Sequence, residues 1–382
     1  MTTEPTTDES TSSPWRFMAR TGVAALPLLV AVALPMAGLR ASGDSLFVEE
    51  AIGVQRQTAS PEVLFGRMLV PEEMRRYKLQ RWRDEKPEVV VLGSSTSMQV
   101  RSLPFVEAGQ TFFNAGGLVQ GASDLTELIA FLDEAKPKQV WLAIDFWWLN
   151  AAWSRVSMAS LQHLVDQPTW SADLTVSIQT TRRLRSLANN ARREAVQDAL
   201  SAPTPSAWVP VGLQARLGKG FRKDGSRRYA DHGRPRLPKQ TQAQRADFLR
   251  RLETETNRMQ AGTAVSATRW AHVVRFAKAC QERGIDLRVW SPPLSPWLYA
   301  ELSSRPTHQG LLRDVQKHLN TELPAFGAVV VDTMNPAHVK LTEAHFHDPI
   351  HVGEVGAMSV VQRLLQSRPP KNAKLGPVVN AA

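Results

Sequence analysis

Asp348 and His351 stand three residues apart in the stretch His345-Phe346-His347-Asp348-Pro349-Ile350-His351-Val352-Gly353, just ahead of an apolar helical pattern. A carboxylate at that spacing can bind an imidazole and orient it. The oriented imidazole can then act as general base toward a hydroxyl. Ser95, in Gly93-Ser94-Ser95-Thr96-Ser97, supplies such a hydroxyl where a short apolar run ends at glycine. Serine is a poor nucleophile until a base takes its proton, so the three residues read as Ser-His-Asp chemistry in the chain order Ser, Asp, His. Taken alone, Ser94, Ser95 and Ser97 are better read as a helix N-cap cluster. Asp348 and His351 at another strand end tip the balance toward catalysis. The spacing of His345 and His347 fits no familiar zinc pattern, and Pro349 opposes a helical H-x-x-x-H arrangement, so both are read as rim or surface residues. No metal or cofactor is expected.

Such residues need strands to hold them. Five short apolar runs read as buried parallel strands: 87–93, 111–114, 139–145, 287–291 and 328–332. Helical patterns alternate with them. Asp124 and Glu127 spell a capping box ahead of Leu125, Leu128, Ile129 and Leu132. Residues 264–282, the segment around Leu311, Leu312, Val315 and Leu319, and the segment after Gly356 carry further helices. Alternation of this kind implies an α/β domain with a parallel sheet of about five strands covered on both faces. Sites in such sheets form beyond the carboxyl ends of the strands. Gly93-Ser94-Ser95 follows the first run, Asn114-Ala115-Gly116-Gly117 the second, and Asp348 to His351 the fifth. The third and fourth runs are about 140 residues apart, far more than a crossover needs, so 151–262 reads as a long, partly helical insertion.

The chain has 382 residues, 43% apolar and 21% charged, enough for one large domain or two smaller ones. Thr21 to Leu39 carries no charge over 19 residues, close to the ~20 that span a bilayer core as a helix. Arg16 and Arg20 precede it, and Asp44, Glu49 and Glu50 follow. That bias predicts a single-pass signal anchor over 17–39, with the N-terminus cytoplasmic and the remainder extracytoplasmic, as in a periplasmic domain. A cleaved signal peptide is the rival reading, but its n-region would be long and partly acidic, and no good A-x-A site follows. The remaining divisions are a disordered cytoplasmic tail over 1–16, a juxtamembrane connector over 40–85, the main domain over 86–366 and a flexible tail over 367–382. The net charge of +10 resides in residues 181–240, which hold 14 Lys/Arg and 4 Asp/Glu. Outside a membrane such a patch suits lipid headgroups or an anionic polysaccharide, and a solvated surface fits equally well. The compartment disfavours nucleic acid. Cys280, the only cysteine, lies in an apolar helical pattern and reads as core.

Strand-Gly-x-Ser, an Asn/Gly turn after the second strand and a C-terminal Asp-x-x-His resemble the layout of the SGNH hydrolases, also called GDSL esterases. The resemblance covers about residues 86–366 and implies a three-layer flavodoxin-like domain. It implies Ser95 as nucleophile, completed by Asp348 and His351. It also implies an oxyanion hole from the Ser95 amide and that of Gly116 or Gly117. The family's third block, Gly-x-Asn-Asp, is missing; Ala143-Ile144-Asp145-Phe146-Trp147-Trp148-Leu149-Asn150 stands in its place. Asn150 is a weak replacement for the family's oxyanion-donating Asn, and Asp145 has the wrong charge. The departure and the anchor resemble envelope branches of the superfamily, similar to alginate O-acetyltransferase-like and D-alanyl-lipoteichoic acid esterase-like proteins. The stretch Gly220 to Tyr229 weakly resembles an insertion motif of such proteins. The implied function is a serine esterase or O-acyltransferase acting on acyl, above all acetyl, esters of a cell-surface polysaccharide. The implied partners are that polysaccharide, the inner membrane and a membrane-bound acyl-donor protein. The alternative is an inactive binding or scaffold protein of a polysaccharide assembly machine. Trp147 and Trp148 could stack on sugar rings, although packing is the stronger reading. The literal Gly43-Asp44-Ser45-Leu46 has no strand before it and reads as a chance spelling on the membrane's outer flank.

Overall fold

The computed structural model describes residues 37–59, 62–68, 73–154, 160–166, 190–229 and 238–367, with isolated helical residues between Trp15 and Ala33. Its centre is a five-stranded sheet: β1 (Val89–Leu92), β2 (Phe112–Asn114), β3 (Gln139–Ala143), β4 (Asp286–Ser291) and β5 (Val329–Asp332). All four pairings are parallel, in the order β2-β1-β3-β4-β5. That 2-1-3-4-5 order is one of the two common doubly wound arrangements and is compatible with a flavodoxin-like fold.

Successive residues of a strand face opposite sides of its sheet. Val90, Leu92, Val140, Leu142, Leu287 and Val289 pack with helices Ala122–Ala135, Ala267–Glu282 and Pro306–Glu322. Val89, Val91, Trp141, Ala143, Trp290 and Val331 pack with Phe105 and helix Glu354–Gln366. Both faces are covered, which is why the strand sequences read as unbroken apolar runs. Cys280 is fully buried, and burial pushes its thiol up to about 12, so it is a packing residue. The Ala122–Ala135 helix starts earlier than its capping signal: Gly121 is the N-cap, and Asp124, inside the first turn, accepts from Gln120 N at 2.7 Å.

The connector expected over 40–85 is folded into the body. Strand Val63–Phe65 pairs in parallel with Val209–Val211 and antiparallel with Gly220–Phe221, which pairs with Arg227–Arg228. The connector and the insertion therefore share a four-stranded sheet. Gly43 to Leu46 fastens it. Asp44 is completely buried, and its Oδ1 accepts from Met68 N at 2.7 Å and Leu213 N at 3.0 Å. The segment is a structural clasp, so its Asp and Ser serve packing.

Most of the expected anchor, 17–39, lies outside the described residues, as do residues 181–189 and 230–237 of the basic segment and nearly all of the two tails. Its described residues are helical, with Met18, Val23, Leu26 and Val30 exposed. Among the described residues no helix is long and apolar enough to cross a membrane.

Candidate active site

β1 ends at Leu92, and Gly93 turns the chain into a 3₁₀ turn over Ser95–Ser97. Gly93 has φ +150°, and a Cβ there would stand 2.7 Å from Ser97 Oγ and 2.8 Å from Ala143 Cβ. Only glycine lets the turn lie this close to β3. Ser97 Oγ donates to Ser94 O at 2.9 Å, and Ser94 Oγ accepts from Thr96 N at 3.3 Å. Of residues 89–100, Ser95 alone is not buried.

His351 arrives on a two-stranded hairpin, Phe346–Asp348 with His351–Val352, in which Asp348 and His351 are cross-strand partners. Asp348 Oδ1 accepts from the Ile350 and His351 amides, each at 2.9 Å. Its Oδ2 lies 2.6 Å from His351 Nδ1, and His351 Nε2 lies 2.7 Å from Ser95 Oγ. Burial would raise the Asp348 carboxyl, but the His351 charge and the hydrogen bonds from His351 and Ile350 outweigh it and hold the group well below the usual carboxylate range. An ionised Asp348 accepts the Nδ1 proton, which leaves Nε2 free to accept from the serine hydroxyl. The structure thus brings together the three residues singled out from sequence, at the carboxyl end of the sheet.

The oxyanion assignments implied by the resemblance fare differently. Gly116 N donates to Asn114 Oδ1 at 2.7 Å, and Gly117 N donates to Gly93 O at 2.8 Å. Both amides are already spent within the protein, so neither is a ready donor. Asn150 is buried and tethers a loop: its Nδ2 donates to Gln260 O at 2.7 Å, and its Oδ1 accepts from Ala152 N at 3.0 Å. The Ser95 amide opens the 3₁₀ turn, a position that leaves N–H groups without an intrahelical partner. Trp147 and Trp148 are buried in the main core, which removes their ring faces from any sugar. His345 Nδ1 accepts from Thr342 N at 2.9 Å as a turn cap, and the His347 ring lies 4.6 Å from that of Tyr229.

Two supports were not anticipated. Asn114 Nδ2 donates to Ser97 O at 2.9 Å and Val100 O at 2.8 Å, so the end of β2 clamps the turn that carries Ser95. Asp145, just past β3, is buried and accepts from the Thr96 hydroxyl at 2.8 Å. Burial pushes the Asp145 carboxyl up to about 6, against hydrogen bonds from Ser94 and Thr96 and the charges of Arg258 and His351. The sequence signal for Asp145 is its place where the resembled family carries Gly-x-Asn-Asp, and its role here is to accept a hydrogen bond rather than to donate one to an oxyanion.

The insertion reaches the site through the turn between Gly220–Phe221 and Arg227–Arg228. Asn114 N donates to Asp224 O at 2.8 Å, and Arg227 N donates to Met98 O at 2.8 Å. Lys78 Nζ, fully buried, donates to Asn114 O at 2.7 Å and also to Gly225 O. Arg222 bridges Glu62, at 2.7 Å, and Glu354, which lies three residues past His351. Arg101 joins Glu354 to Asp224 at 3.3 and 3.2 Å. One ionic network therefore ties the small sheet to the helix that follows the imidazole.

No protein-family model matches the chain, and no curated protein matches it.

Proposed function

We propose that the chain is a serine esterase or O-acyltransferase that works through an acyl-enzyme at Ser95, in the manner of the SGNH hydrolases. The observation that carries this reading is the continuous relay from Ser95 Oγ to His351 Nε2 at 2.7 Å and from His351 Nδ1 to Asp348 Oδ2 at 2.6 Å. Distances of 2.6–3.2 Å are the hydrogen-bond reach that proton transfer needs. The 2-1-3-4-5 strand order supports the flavodoxin-like form of that family.

In this mechanism His351 Nε2 takes the Ser95 proton as Oγ attacks the ester carbonyl carbon. The carbonyl oxygen becomes an oxyanion facing the Ser95 amide. The tetrahedral species collapses, the ester C–O bond breaks, and the imidazolium gives its proton to the departing alkoxide. His351 then deprotonates the incoming acceptor, which attacks the acyl carbon; the bond from that carbon to Ser95 Oγ breaks, and the imidazolium returns its proton to Oγ. Water as acceptor makes the protein an esterase, and a sugar hydroxyl makes it an acyltransferase. Asp348 stays ionised throughout and stabilises the imidazolium.

The substrate in this reading is an acyl ester, above all an acetyl ester, of a cell-surface polysaccharide. Residues 17–39 anchor the domain on the outer side of the inner membrane, beside a membrane-bound acyl donor if the protein is a transferase. The uncharged stretch Thr21 to Leu39 and the exposed Met18, Val23, Leu26 and Val30 support the anchor. Incubation with p-nitrophenyl acetate followed by peptide mass spectrometry tests the mechanism: an acetyl group is expected on Ser95. An unlabelled Ser95, with turnover unchanged in Ser95→Ala, would sink it.

A second reading is favoured by the spent Gly116 and Gly117 amides. With fewer oxyanion donors, the domain would be a glycan-binding scaffold of a polysaccharide assembly machine. A chain that binds anionic glycan and turns over no ester would establish that reading instead.

A further inference from the structure

Arg258 sits in a loop built at conformational expense. Glu255, Asn257 and Arg258 have φ of 51°, 49° and 79°, the left-handed region that crowds any residue with a Cβ. Such residues persist only where their surroundings over-determine them, and they gather at ligand clamps and active sites. Here the surroundings are visible. Met259 is fully buried, its carbonyl bonded by His308 Nε2 at 3.1 Å and its amide by Thr256 O at 3.0 Å. Asn150 holds Gln260 O, and a Cβ on Gly262 would stand 2.6 Å from Asn150 Oδ1.

These restraints fix the backbone around Arg258 and leave its guanidinium unspent. The side chain has neither an ion pair nor a hydrogen bond among the described residues. It is half-buried, 5.2 Å above the ring centre of Trp147. Trp147 lies two residues past Asp145, and the Arg258 charge is felt at the Asp145 carboxyl, which holds Thr96 next to Ser95. The cation is therefore posted just past the carboxyl end of β3, the edge of the sheet at which Ser95 follows β1. A solvated arginine needs no strained loop, and one that only balanced Asp145 would be expected to touch it. A guanidinium stacked on an indole keeps its planar fork of donors free for a carboxylate or a phosphate.

We propose that Arg258 is the recognition residue of this site and binds an oxyanion, carboxylate or phosphate, borne by the substrate close to its ester. The proposal rests on the acyl-transfer reading for the identity of the ester but not for the anion contact. It restricts the substrate class to esters of anionic polymers. A uronic acid chain and a polyol-phosphate chain present the same chemistry to the fork. Trp147 acts here from within the core, as the platform under the arginine rather than as a sugar-stacking surface.

The test is binding, in a Ser95→Ala background, so that it does not depend on turnover. Titration calorimetry would use the full chain with a galacturonate trisaccharide, with glycerol 3-phosphate and with a neutral glucose trisaccharide of equal length. At least one anion is expected to bind, and Arg258→Gln should weaken it about tenfold, the loss of one charged hydrogen-bonded contact. Arg258→Lys should retain part of the affinity, and the neutral sugar should not distinguish the variants. The tighter anion identifies the polymer. No binding of either anion at millimolar concentration, or equal anion affinity in Arg258→Gln, overturns the proposal. So does equal weakening toward the neutral sugar. A failed Arg258→Gln fold, seen as lost cooperative melting, shifts the comparison to Arg258→Lys, which must then bind the anion less tightly than its parent. Absence of a Ser95 acyl adduct in the unsubstituted chain is a separate result that counts against the mechanism alone.

Discussion

The Thr96 hydroxyl donates to Asp145 Oδ1 across 2.8 Å, so an acid from the end of β3 supports the turn that carries Ser95. The carboxyl is buried and pushed up to about 6, above the 3.8 of an exposed aspartate. The folded protein therefore binds an extra proton between those values, and stability falls as pH rises from about 4 to 6 and stays lower above. Asp145→Asn keeps an acceptor for Thr96 and removes the buried charge. It should raise stability at pH 8 by up to about 3 kcal/mol, since one pKa unit is worth about 1.4 kcal/mol. The gain should vanish below pH 4. Melting temperatures across that range check it, and an Asp145→Asn variant less stable than its parent at pH 8 would show that the ionised form is the one the fold favours.

The relay has a graded signature. Ser95→Ala and His351→Ala should abolish acyl-enzyme formation. Asp348→Asn should reduce kcat by roughly 10³–10⁴-fold, because an amide no longer fixes the tautomer that leaves Nε2 as acceptor. The three losses should not add, since the residues act as one unit. Steady-state kinetics on an activated acetyl ester measures them.

Asn150 separates two roles. An oxyanion donor is worth about 10²–10³ in kcat when removed. The observed contacts of Asn150 to Gln260 O and Ala152 N make it a loop tether. Asn150→Ala should leave kcat on a small neutral ester within about threefold while lowering stability by about 1–3 kcal/mol through the unpaired loop carbonyl. A loss of kcat a hundredfold or more would restore the donor role.

Gly225 tests whether the insertion supports the site. Its φ is +79°, and a Cβ there would fall onto Asn114 O, between the small sheet and the end of β2. Gly225→Ala should cost at least about 1–2 kcal/mol of stability from backbone strain. It should also lower any ester turnover, since Asn114 clamps the turn that carries Ser95. Denaturant titration and ester turnover read the two effects. Wild-type values for both would detach the insertion from the site.

The strands, the helices on both faces and the Ser95, Asp348 and His351 set were legible because each rests on local rules. Apolar runs ending in glycine mark buried strands, and strand ends mark sites. Asp348 and His351 are three residues apart, so their contact is nearly a property of one hairpin. The misplaced helix start at Asp124 and the literal Gly43 to Leu46 show the weakness of short patterns. A capping spelling or a family spelling says nothing about which backbone amides surround it. Asp44 turned out to serve the Met68 and Leu213 amides, from segments far along the chain.

By itself the sequence determined the element order, the doubly wound class and the choice of Ser95, Asp348 and His351 as one candidate set, because hydrophobic period and strand-end position act over a few residues. Only the tertiary structure decided that Ser95 and His351, 256 positions apart, lie in contact. It also decided that the Gly116 and Gly117 amides are spent, that Asn150 holds a loop rather than an oxyanion, and that Arg258 stacks on Trp147 beside the site. Each of those outcomes depends on which group meets which partner across the fold. A hydrogen bond acts within about 3 Å, and no pattern along the chain encodes a distance in space.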